Sequence, residues 1–518
     1  MSIKKITAFL LVLSMLAGSL ASCNGGEVKE TKAETDAPQI QTNPVETEEP
    51  ATEAPVVETE PAETKFDRTT VSDGLPEVTF GGRDFRFLVN EGEYFQLVSE
   101  DDDGVGLDAV IYDRNQRVED RFDVKITAQF QVGTEAQDII NSYAGTGEHI
   151  AEVCDHWHRM GLSPVCYFFW LSWLDIPYIN LDQPWWNKLA NQSAFIKGKM
   201  FTITGDLAVS SMQDTWAIAY NMDLLEQYTG ITSEAMYQEV FDGKWTIDRL
   251  IEIGSSIYKD VNGNGEEETG DIFGYTSVVS NRTMPWVTSI GENFFTISED
   301  RTQIEVTLGT EKVYNALEKL ANFHHNVVGT YSYLGPDWQT EIEETKIAIN
   351  EFCEGRVAMT TTTFNSCYTH FTDIDFTYGM LPFPKYDEAQ ERYLTVPEYD
   401  FSVYGVPVTL PFEDYEMVGI IMEAMCAESW KTVTPAYYDE ALKGRYSADE
   451  TTAKMIDLIM DGRVFDWGYQ VAIYLTCKYP YLFMYNLRDN NIDLASTLAA
   501  GAEDNLWRID QVLSFYDD

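Results

Sequence analysis

An acidic, glycine-rich segment over residues 260–271 has the spacing of a calcium-binding loop. Side-chain oxygens occur at its first, third, fifth and seventh positions, and Gly265 at the sixth position permits a sharp turn. A hard cation prefers several oxygen ligands that converge on one point. The twelfth position is an aspartate rather than the longer glutamate, so an acidic turn without a metal is the alternative. The expected ligands of a structural calcium ion are Asp260, Asn262, Asn264, Glu266 and Asp271.

Two histidines, His156 and His158, lie between Cys154 and Cys166 along the chain. Such side chains bind zinc in many proteins, but no second pair of ligands follows at a recognised spacing. We therefore expect them to pack in the protein or to line a cleft. Seven cysteines in 518 residues are too few for a disulfide framework. Local disulfides and buried thiols are both compatible with the pairs Cys154–Cys166 and Cys353–Cys367.

Aromatic and hydrogen-bonding side chains recur together in segments that are predicted to be loops. Flat aromatic rings can stack on the apolar C–H faces of a sugar, and Asp, Asn, Gln and Thr can hydrogen-bond its hydroxyl groups. Pockets for small molecules combine apolar walls with a few placed polar groups in this way. For any single tryptophan, packing in a core or between lobes is the alternative. The candidate ligand-binding residues are Trp157, Asp206, Gln213, Asp214, Trp216, Trp286, Asn293, Thr362, Phe364, Asn365, Tyr399, Asp400 and Trp467.

Sequence motifs of common enzymes are absent. The chain has no P-loop, no dinucleotide-binding GxGxxG after a strand, no HExxH and no GxSxG elbow. We therefore expect a protein that is not an enzyme. An exported glycoside hydrolase stays an alternative, because a pair of carboxylates at a working separation leaves no recognisable spacing in sequence.

The elements that would position these residues alternate between strand and helix. Alternating apolar residues predict strands over 84–89 and 123–130, and a helical pattern over 107–122 separates them. This order within a short stretch predicts a β-α-β unit and an α/β fold with an open sheet. Further amphipathic helices are predicted over 246–259, 311–326 and 414–430.

The composition describes a large, strongly acidic chain. Hydrophobic residues make up 44% and aromatic residues 13%, which is ample for more than one core, so two lobes are expected. The formal net charge of −50 repels nucleic acid and keeps an exported protein soluble. We expect no nucleic-acid partner and a monomer.

The N-terminal segment has the order of a secretory signal. Lys4 and Lys5 precede an apolar run and then small residues, and the run is too short to span a bilayer. It ends in Leu20–Cys23, a tetrapeptide that resembles the bacterial lipobox. We therefore expect a signal peptide over 1–22 and a lipid on Cys23. That lipid would be the sole membrane attachment, on the outer face of the cell membrane.

A disordered tether is expected over residues 23–65. This segment is rich in Thr, Glu and Pro and has no aromatic residues, so it has little to bury against the entropy of ordering. It would hold a folded body, residues 73–518, away from the membrane.

Six segments of the body resemble, in chain order, the extracellular solute-binding proteins of family 1, which serve carbohydrate-type ABC importers. Tyr220 to Leu225 matches a strand that enters a helix, and Trp245 to Asp248 matches a helix start. Met222 departs from the family, in which lysine is common at this position. The other four segments are 260–274, 352–359, 378–385 and 403–407.

The resemblance implies a two-lobed, type II periplasmic-binding-protein fold with a hinge and a ligand cleft. Lobe 1 would comprise about 73–210 with part of 375–518, and lobe 2 about 211–374 with the rest. A small solute, expected to be a carbohydrate or oligosaccharide, would close the lobes and pass to the permease subunits of an ABC importer. A surface glycan-binding lipoprotein without a transporter is the other alternative, beside the hydrolase.

Overall fold

A computed structural model describes residues 67–90, 94–99, 106–131, 145–158, 161–162, 169–280, 283, 285–335, 338–438, 450–468 and 479–517. The predicted signal peptide and the predicted tether with Cys23 lie outside the described residues. Phe66–Asp518 forms one compact unit. Within the described ranges, no helix combines the length and the apolar character that crossing a bilayer requires.

A β-α-β unit opens the described chain, as the apolar periodicity predicts. Two strands flank a helix of 17 residues and run parallel, with Phe85 opposite Ile126. Phe87 and the helix residue Val118 are buried with them in one apolar core. The alternation of buried and exposed side chains therefore places one sheet face against the helix.

The described strands build two main sheets. In chain order they are β1 Arg83–Asn90, β2 Val124–Gln131, β3 Val153–Trp157, β4 Trp170–Leu171, β5 Trp216–Asn221, β6 Tyr258–Lys259, β7 Ile272–Val278, β8 Phe295–Ile297, β9 Ile304–Val306, β10 Thr330–Tyr333, β11 Val357–Thr363, β12 Tyr378–Leu381 and β13 Ser402–Pro407. The first sheet has the order β2-β1-β3-β13-β4, and the second has the order β10-β7-β11-β5-β12 with β6 beside β7. β8 and β9 form a separate hairpin. We call the first sheet with its packed elements lobe 1 and the second lobe 2.

The described helices cover both sheets. They are α1 Tyr94–Leu97, α2 Gly106–Phe122, α3 Lys188–Ala194, α4 Ser210–Gln213, α5 Met222–Thr229, α6 Ser233–Phe241, α7 Ile247–Ser255, α8 Pro285–Ser289, α9 Glu311–Asn326, α10 Trp338–Cys353, α11 Phe364–Thr369, α12 Tyr415–Glu428, α13 Glu450–Asp461, α14 Tyr479–Arg488 and α15 Leu494–Ser514. Short turns of 3₁₀ or π helix lie at Arg68–Thr70, Trp173–Asp175, Phe371–Asp373, Phe412–Asp414 and Ser429–Val433. α12 packs on α2 in lobe 1, whereas α13 packs on β12, and α14 on α9, in lobe 2.

One sequence expectation needs correction, and one alternative that the sequence left open is decided. The helix predicted over 246–259 ends at Ser255, because Ser256 turns its hydroxyl onto the carbonyl of Ile253 at 2.7 Å and Tyr258 pairs with Phe273 as a strand. Of the local cysteine pairs, Cys154 and Cys353 are free thiols, and Cys166 lies outside the described residues. The exact lobe boundaries stay a prediction.

A buried carboxylate ties two tryptophans together in lobe 1. Glu423 in α12 is fully buried and accepts the indole N–H of Trp185 at 3.0 Å and that of Trp186 at 2.8 Å. The backbone N–H of Asn180 donates to it at 3.0 Å. Three donors converge on one side chain, so the loop over 180–186 is fixed to the helix.

Gly405 in β13 makes room for the indole of Trp170 in the neighbouring strand β4. A methyl group at Gly405 would lie 2.6 Å from three carbons of that ring. We expect Gly405→Ala to lower the free energy of unfolding by about 1–3 kcal/mol, because such overpacking forces the ring or the strand to shift. Thermal and urea unfolding measure the loss. Gly145→Ala is the control, because an added methyl group there meets nothing within 4 Å; an equal loss in both variants would contradict the explanation.

Candidate functional site

Three chain segments lie side by side where the lobes meet, and backbone hydrogen bonds join them. The amide of Trp216 donates to the carbonyl oxygen of Val396 at 3.1 Å, which joins the first segment to the second. The amide of Val464 donates to the carbonyl oxygen of Thr395 at 2.8 Å, which joins the third to the second. We call these segments the junction; they are residues 210–216, 395–402 and 462–468.

Eight of the predicted ligand-binding residues lie at the junction or at strand ends beside it. The carbonyl of Asp214 accepts the N–H of Glu398 at 2.6 Å, so the first two segments are also tied at this point. The rings of Trp216, Phe364 and Tyr399 are at most 4% exposed and pack in the apolar core. These rings therefore contribute to packing at the junction. The eight residues are Gln213, Asp214, Trp216, Thr362, Phe364, Asn365, Tyr399 and Asp400.

A cavity of about 260 Å³ opens between the lobes beside the junction. Helix α3 of lobe 1 forms one wall, the β8–β9 hairpin of lobe 2 forms another, and the third junction segment closes it. Two of the predicted residues, Asn293 and Trp467, line it. Its walls combine aromatic rings with hydrogen-bonding groups. The lining residues are Leu189, Gln192, Ser193, Asn293, Phe295, Thr296, Ile297, Arg301, Phe465, Asp466 and Trp467.

Asp466 places a buried carboxylate in the wall of this cavity. It accepts the N–H of Gly468 at 2.6 Å and that of Phe294 at 3.3 Å, and burial raises its pKa to about 6. A side chain at position 468 would lie 2.6 Å from the ring of Phe295, so glycine permits the close approach. The carboxylate is thus held in one position and can accept further hydrogen bonds from hydroxyl groups.

Two buried indoles in this region carry N–H groups that have no hydrogen-bond partner in the described part of the structure. Trp467 is 2% exposed and Trp286 is fully buried. The buried hydroxyl of Thr288, in the same helix α8 as Trp286, also lacks a partner among the described residues. An unpaired buried donor costs about 1–3 kcal/mol, and bound molecules commonly satisfy such groups at binding sites. Trp467 lines the cavity, whereas Trp286 packs edge-on against Phe383 at 4.9 Å.

The end of β3 brings aromatic rings of lobe 1 to the junction. Trp157 ends the strand, and the next ring, His158, stacks on Phe401 at 4.6 Å. Phe401 in turn contacts Phe465 edge-on at 5.7 Å.

Burial lowers the pKa of His156 to about 4 and that of His158 to about 3, so both rings are neutral at pH 7. Among the described residues, no three His, Cys, Asp or Glu side chains are arranged to hold a metal ion.

Asp206 lies in a different place from the other predicted residues. It lines a second cavity of about 310 Å³ together with Arg68 and Arg463. Its carboxylate accepts the hydroxyl of Thr434 at 3.1 Å, and burial raises its pKa to about 7. Asp206 therefore does not share a wall with Asn293 and Trp467.

The segment with calcium-loop spacing forms an exposed turn that is held by its own side chains. The carboxylate of Asp260 accepts the N–H groups of Gly263 at 2.6 Å and Gly265 at 2.8 Å. Asp271 accepts the N–H of Val261 at 2.9 Å. These hydrogen bonds hold the turn in shape without a metal ion. Calcium binding stays a prediction.

We propose that this turn binds calcium weakly, with a dissociation constant of about 10⁻⁴–10⁻³ M. Isothermal titration with CaCl₂ measures it, and Asp260→Asn should abolish the heat because the first ligand loses its charge. Asp300→Asn, at the exposed tip of the β8–β9 hairpin, is the control. The absence of any heat from the unaltered protein at 10⁻² M calcium would contradict the prediction.

Sequence reasoning missed several cavity residues, among them Gln192, Arg301 and Phe465. No motif marks them, because they come from a helix end, a hairpin tip and a loop that meet only in the folded protein. One usable signal was present: short apolar runs around residues 295–297 and 304–306 flank a polar turn, which is typical of a hairpin.

Comparisons with known proteins show the fold. No family model matches the chain, and no curated protein matches it. An ABC substrate-binding protein from Listeria monocytogenes, solved in complex with cycloalternan, is 14% identical; the match covers 83% of this chain and 98% of that chain with a TM-score of 0.50. A cyclo/maltodextrin-binding protein complexed with maltotetraose is 10% identical; the match covers 84% and 96% with a TM-score of 0.52. The chain thus has the two-lobed α/β fold of periplasmic binding proteins, with a cleft between the lobes.

Proposed function

We propose that this chain is a solute-binding protein that captures a carbohydrate, in particular an oligosaccharide, and hands it unchanged to an ABC importer. One observation carries the proposal. In the cavity between the lobes, the buried indole N–H of Trp467 lacks a partner among the described residues, and the held carboxylate of Asp466 lies next to it in the chain.

The chemistry of the cavity suits a ring with many hydroxyl groups. The aromatic residues Phe295, Phe465 and Trp467 offer apolar surface for C–H faces, while Asn293 and Asp466 offer hydrogen-bond acceptors. Closing the lobes around such a ligand would remove it from water, which strengthens each of these contacts.

Two further observations support this ligand class and role. The Listeria protein was solved with cycloalternan and the second neighbour with maltotetraose, and both of these ligands are oligosaccharides. The net charge of −50 disfavours polyanionic ligands and nucleic acid. Binding and release without chemistry requires no catalytic residue.

We also propose that the protein is monomeric and is held at the outer face of the cell membrane by lipid on Cys23. The signal-like segment before this residue and the tether composition after it support the proposal. Expression with labelled palmitate, followed by fractionation, tests it. Cys23→Ser should remove the label and release the protein from the membrane, whereas Cys426→Ser should do neither because that thiol is buried.

A calorimetric screen against linear and cyclic oligosaccharides tests the ligand class. We expect reversible micromolar binding of at least one member, with the sugar recovered intact by chromatography. Cleaved sugar would favour the exported hydrolase, and the absence of binding to the whole series would reject the proposal. Genes for permease subunits next to the gene of this chain would favour the importer over a glycan-binding surface protein.

A further inference from the structure

The β8–β9 hairpin reaches from lobe 2 onto lobe 1 at a point away from the junction. Its tip residue, Arg301, donates from its guanidinium to the carbonyl oxygen of Gln192 and, at 3.5 Å, to that of Phe195. Both carbonyls lie at the C-terminal end of α3, where carbonyls lack partners within the helix and a cation is favoured. The carbonyl oxygen of Arg301 also accepts the N–H of Lys197 at 3.0 Å.

The same part of lobe 1 is held from a second side by the end of α15. The ammonium group of Lys197 donates to the carbonyl oxygen of Leu513 at 2.9 Å and to the carboxylate of Asp517 at 2.6 Å. Lys199 donates to the carbonyl oxygen of Asp517 at 3.0 Å. Helix α15 packs on α14, which packs on α9 of lobe 2. We call Arg301, the turn 196–199 and the segment 513–517 the clasp.

Left-handed backbone conformations occur on both sides of the clasp. Arg301 has a φ of +59° and Lys197 a φ of +46°, a region that non-glycine residues rarely adopt. Tight hairpin turns use such conformations, and they persist where the surrounding contacts fix them. Asp300 supports the hairpin tip by accepting the hydroxyl of Ser298 at 2.6 Å and that of Thr302 at 2.8 Å.

The clasp and the cavity share residues. Gln192 and Arg301, which are joined to each other across the lobes, both line the cavity that contains Asp466 and Trp467. The residue that fastens the hairpin to α3 therefore also lines the cavity. Any separation of the hairpin from α3 would widen the cavity on the side opposite the junction.

We propose that Arg301 is a positioning residue for ligand capture, which acts by fastening the hairpin of lobe 2 to α3 of lobe 1 and so sets the separation of the cavity walls. This role rests on the proposed function. Lys197 forms the second contact of the clasp. In this proposal the junction stays fixed while the cavity walls move relative to each other. Arg301 thereby slows ligand escape by holding the hairpin wall in place.

Arg301→Ala tests the role with two independent readouts. In small-angle X-ray scattering without sugar, the variant should have a larger radius of gyration than the unaltered protein, because the lobes separate. In stopped-flow experiments with maltotetraose, the variant should dissociate about tenfold faster with little change in association rate. Arg301→Lys keeps the charge but not the planar fork, so it should recover part of both effects. Lys197→Ala should change both quantities in the same direction.

Lys346→Ala is the matched control, because it removes one positive charge whose ion pair with Glu343 lies within lobe 2. An Arg301→Ala variant with the scattering and dissociation rate of the unaltered protein would overturn the positioning role and leave the proposed function standing. If the unaltered protein bound no sugar in the screen, the proposed function and the positioning role would both be rejected. The scattering comparison would then show only whether the clasp holds the two lobes together.

Discussion

Replacing Trp467 with alanine is expected to weaken the proposed oligosaccharide binding by about thirtyfold or more. The ring is 2% exposed, lines the cavity and has an indole N–H without a partner among the described residues. Loss of a buried aromatic anchor typically costs 2 kcal/mol or more of binding free energy, and about 1.4 kcal/mol corresponds to a factor of ten. Titration calorimetry with the best sugar of the screen measures the change.

Two further variants separate stacking from hydrogen bonding and from general damage. Trp467→Phe keeps an aromatic face but loses the donor, so it should weaken binding about fivefold, as expected for one hydrogen bond. Trp507→Ala removes a tryptophan that is 57% exposed on α15 and should bind as the unaltered protein does. Unchanged affinity in a folded Trp467→Ala variant would show that Trp467 does not contribute to sugar binding.

Glu423→Gln is expected to lower the free energy of unfolding by about 1–3 kcal/mol at pH 7. The carboxylate is fully buried and accepts N–H groups from Trp185, Trp186 and Asn180. An amide presents one oxygen and one NH₂ group, so at least one of these donors would face another donor and stay unpaired in the core. Urea unfolding measures the loss.

The control for this variant comes from the same helix. Glu416→Gln changes an exposed residue that accepts a hydrogen bond from Tyr178 at 3.2 Å, and it should alter stability by less than about 0.5 kcal/mol. Equal losses in the two variants would show that the buried donors do not depend on the carboxylate.

The titration of Glu423 should contribute to the pH dependence of the free energy of unfolding. Burial raises the pKa of this carboxyl group to about 7 in the folded protein, against an ordinary value of 4.5. Between these values the folded protein keeps a proton that the unfolded chain has released. The contribution of Glu423 to stability therefore falls as the pH rises from about 4.5 to about 7 and is constant above. Glu423→Gln should lack this component of the slope in urea unfolding measured across that range.

Local patterns in the sequence predicted much of the fold. The alternation of apolar residues in the first strands, the β-α-β order and the helix over 311–326 all agree with the structure. The segment that resembles a strand entering a helix does so at Asn221, whose side chain accepts the N–H of Leu224 at 2.9 Å. The helix that ends early, at Ser255, shows that apolar spacing alone does not place a helix end, because side-chain bonds at the last turn decide it.

The site was less accessible to sequence reasoning. Asn293 and Trp467 were singled out as aromatic or amide groups in loops, and both line the cavity. Trp216 and Phe364 are aromatic, as Trp467 is, and all three rings are at most 2% exposed in the same apolar core. Trp467 also borders the cavity, because the folded chain places it beside the β8–β9 hairpin. The contacts of Arg301 could not be predicted from sequence, because its guanidinium donates to carbonyl oxygens more than a hundred positions earlier in the chain.

The main-chain bonds at the junction also bear on how such proteins diverge. Because amides and carbonyls tie residues 210–216, 395–402 and 462–468 together, the connection between these three segments tolerates wide substitution of side chains. Proteins with this fold can therefore differ at most side chains and still keep the same main-chain connection between the two sheets.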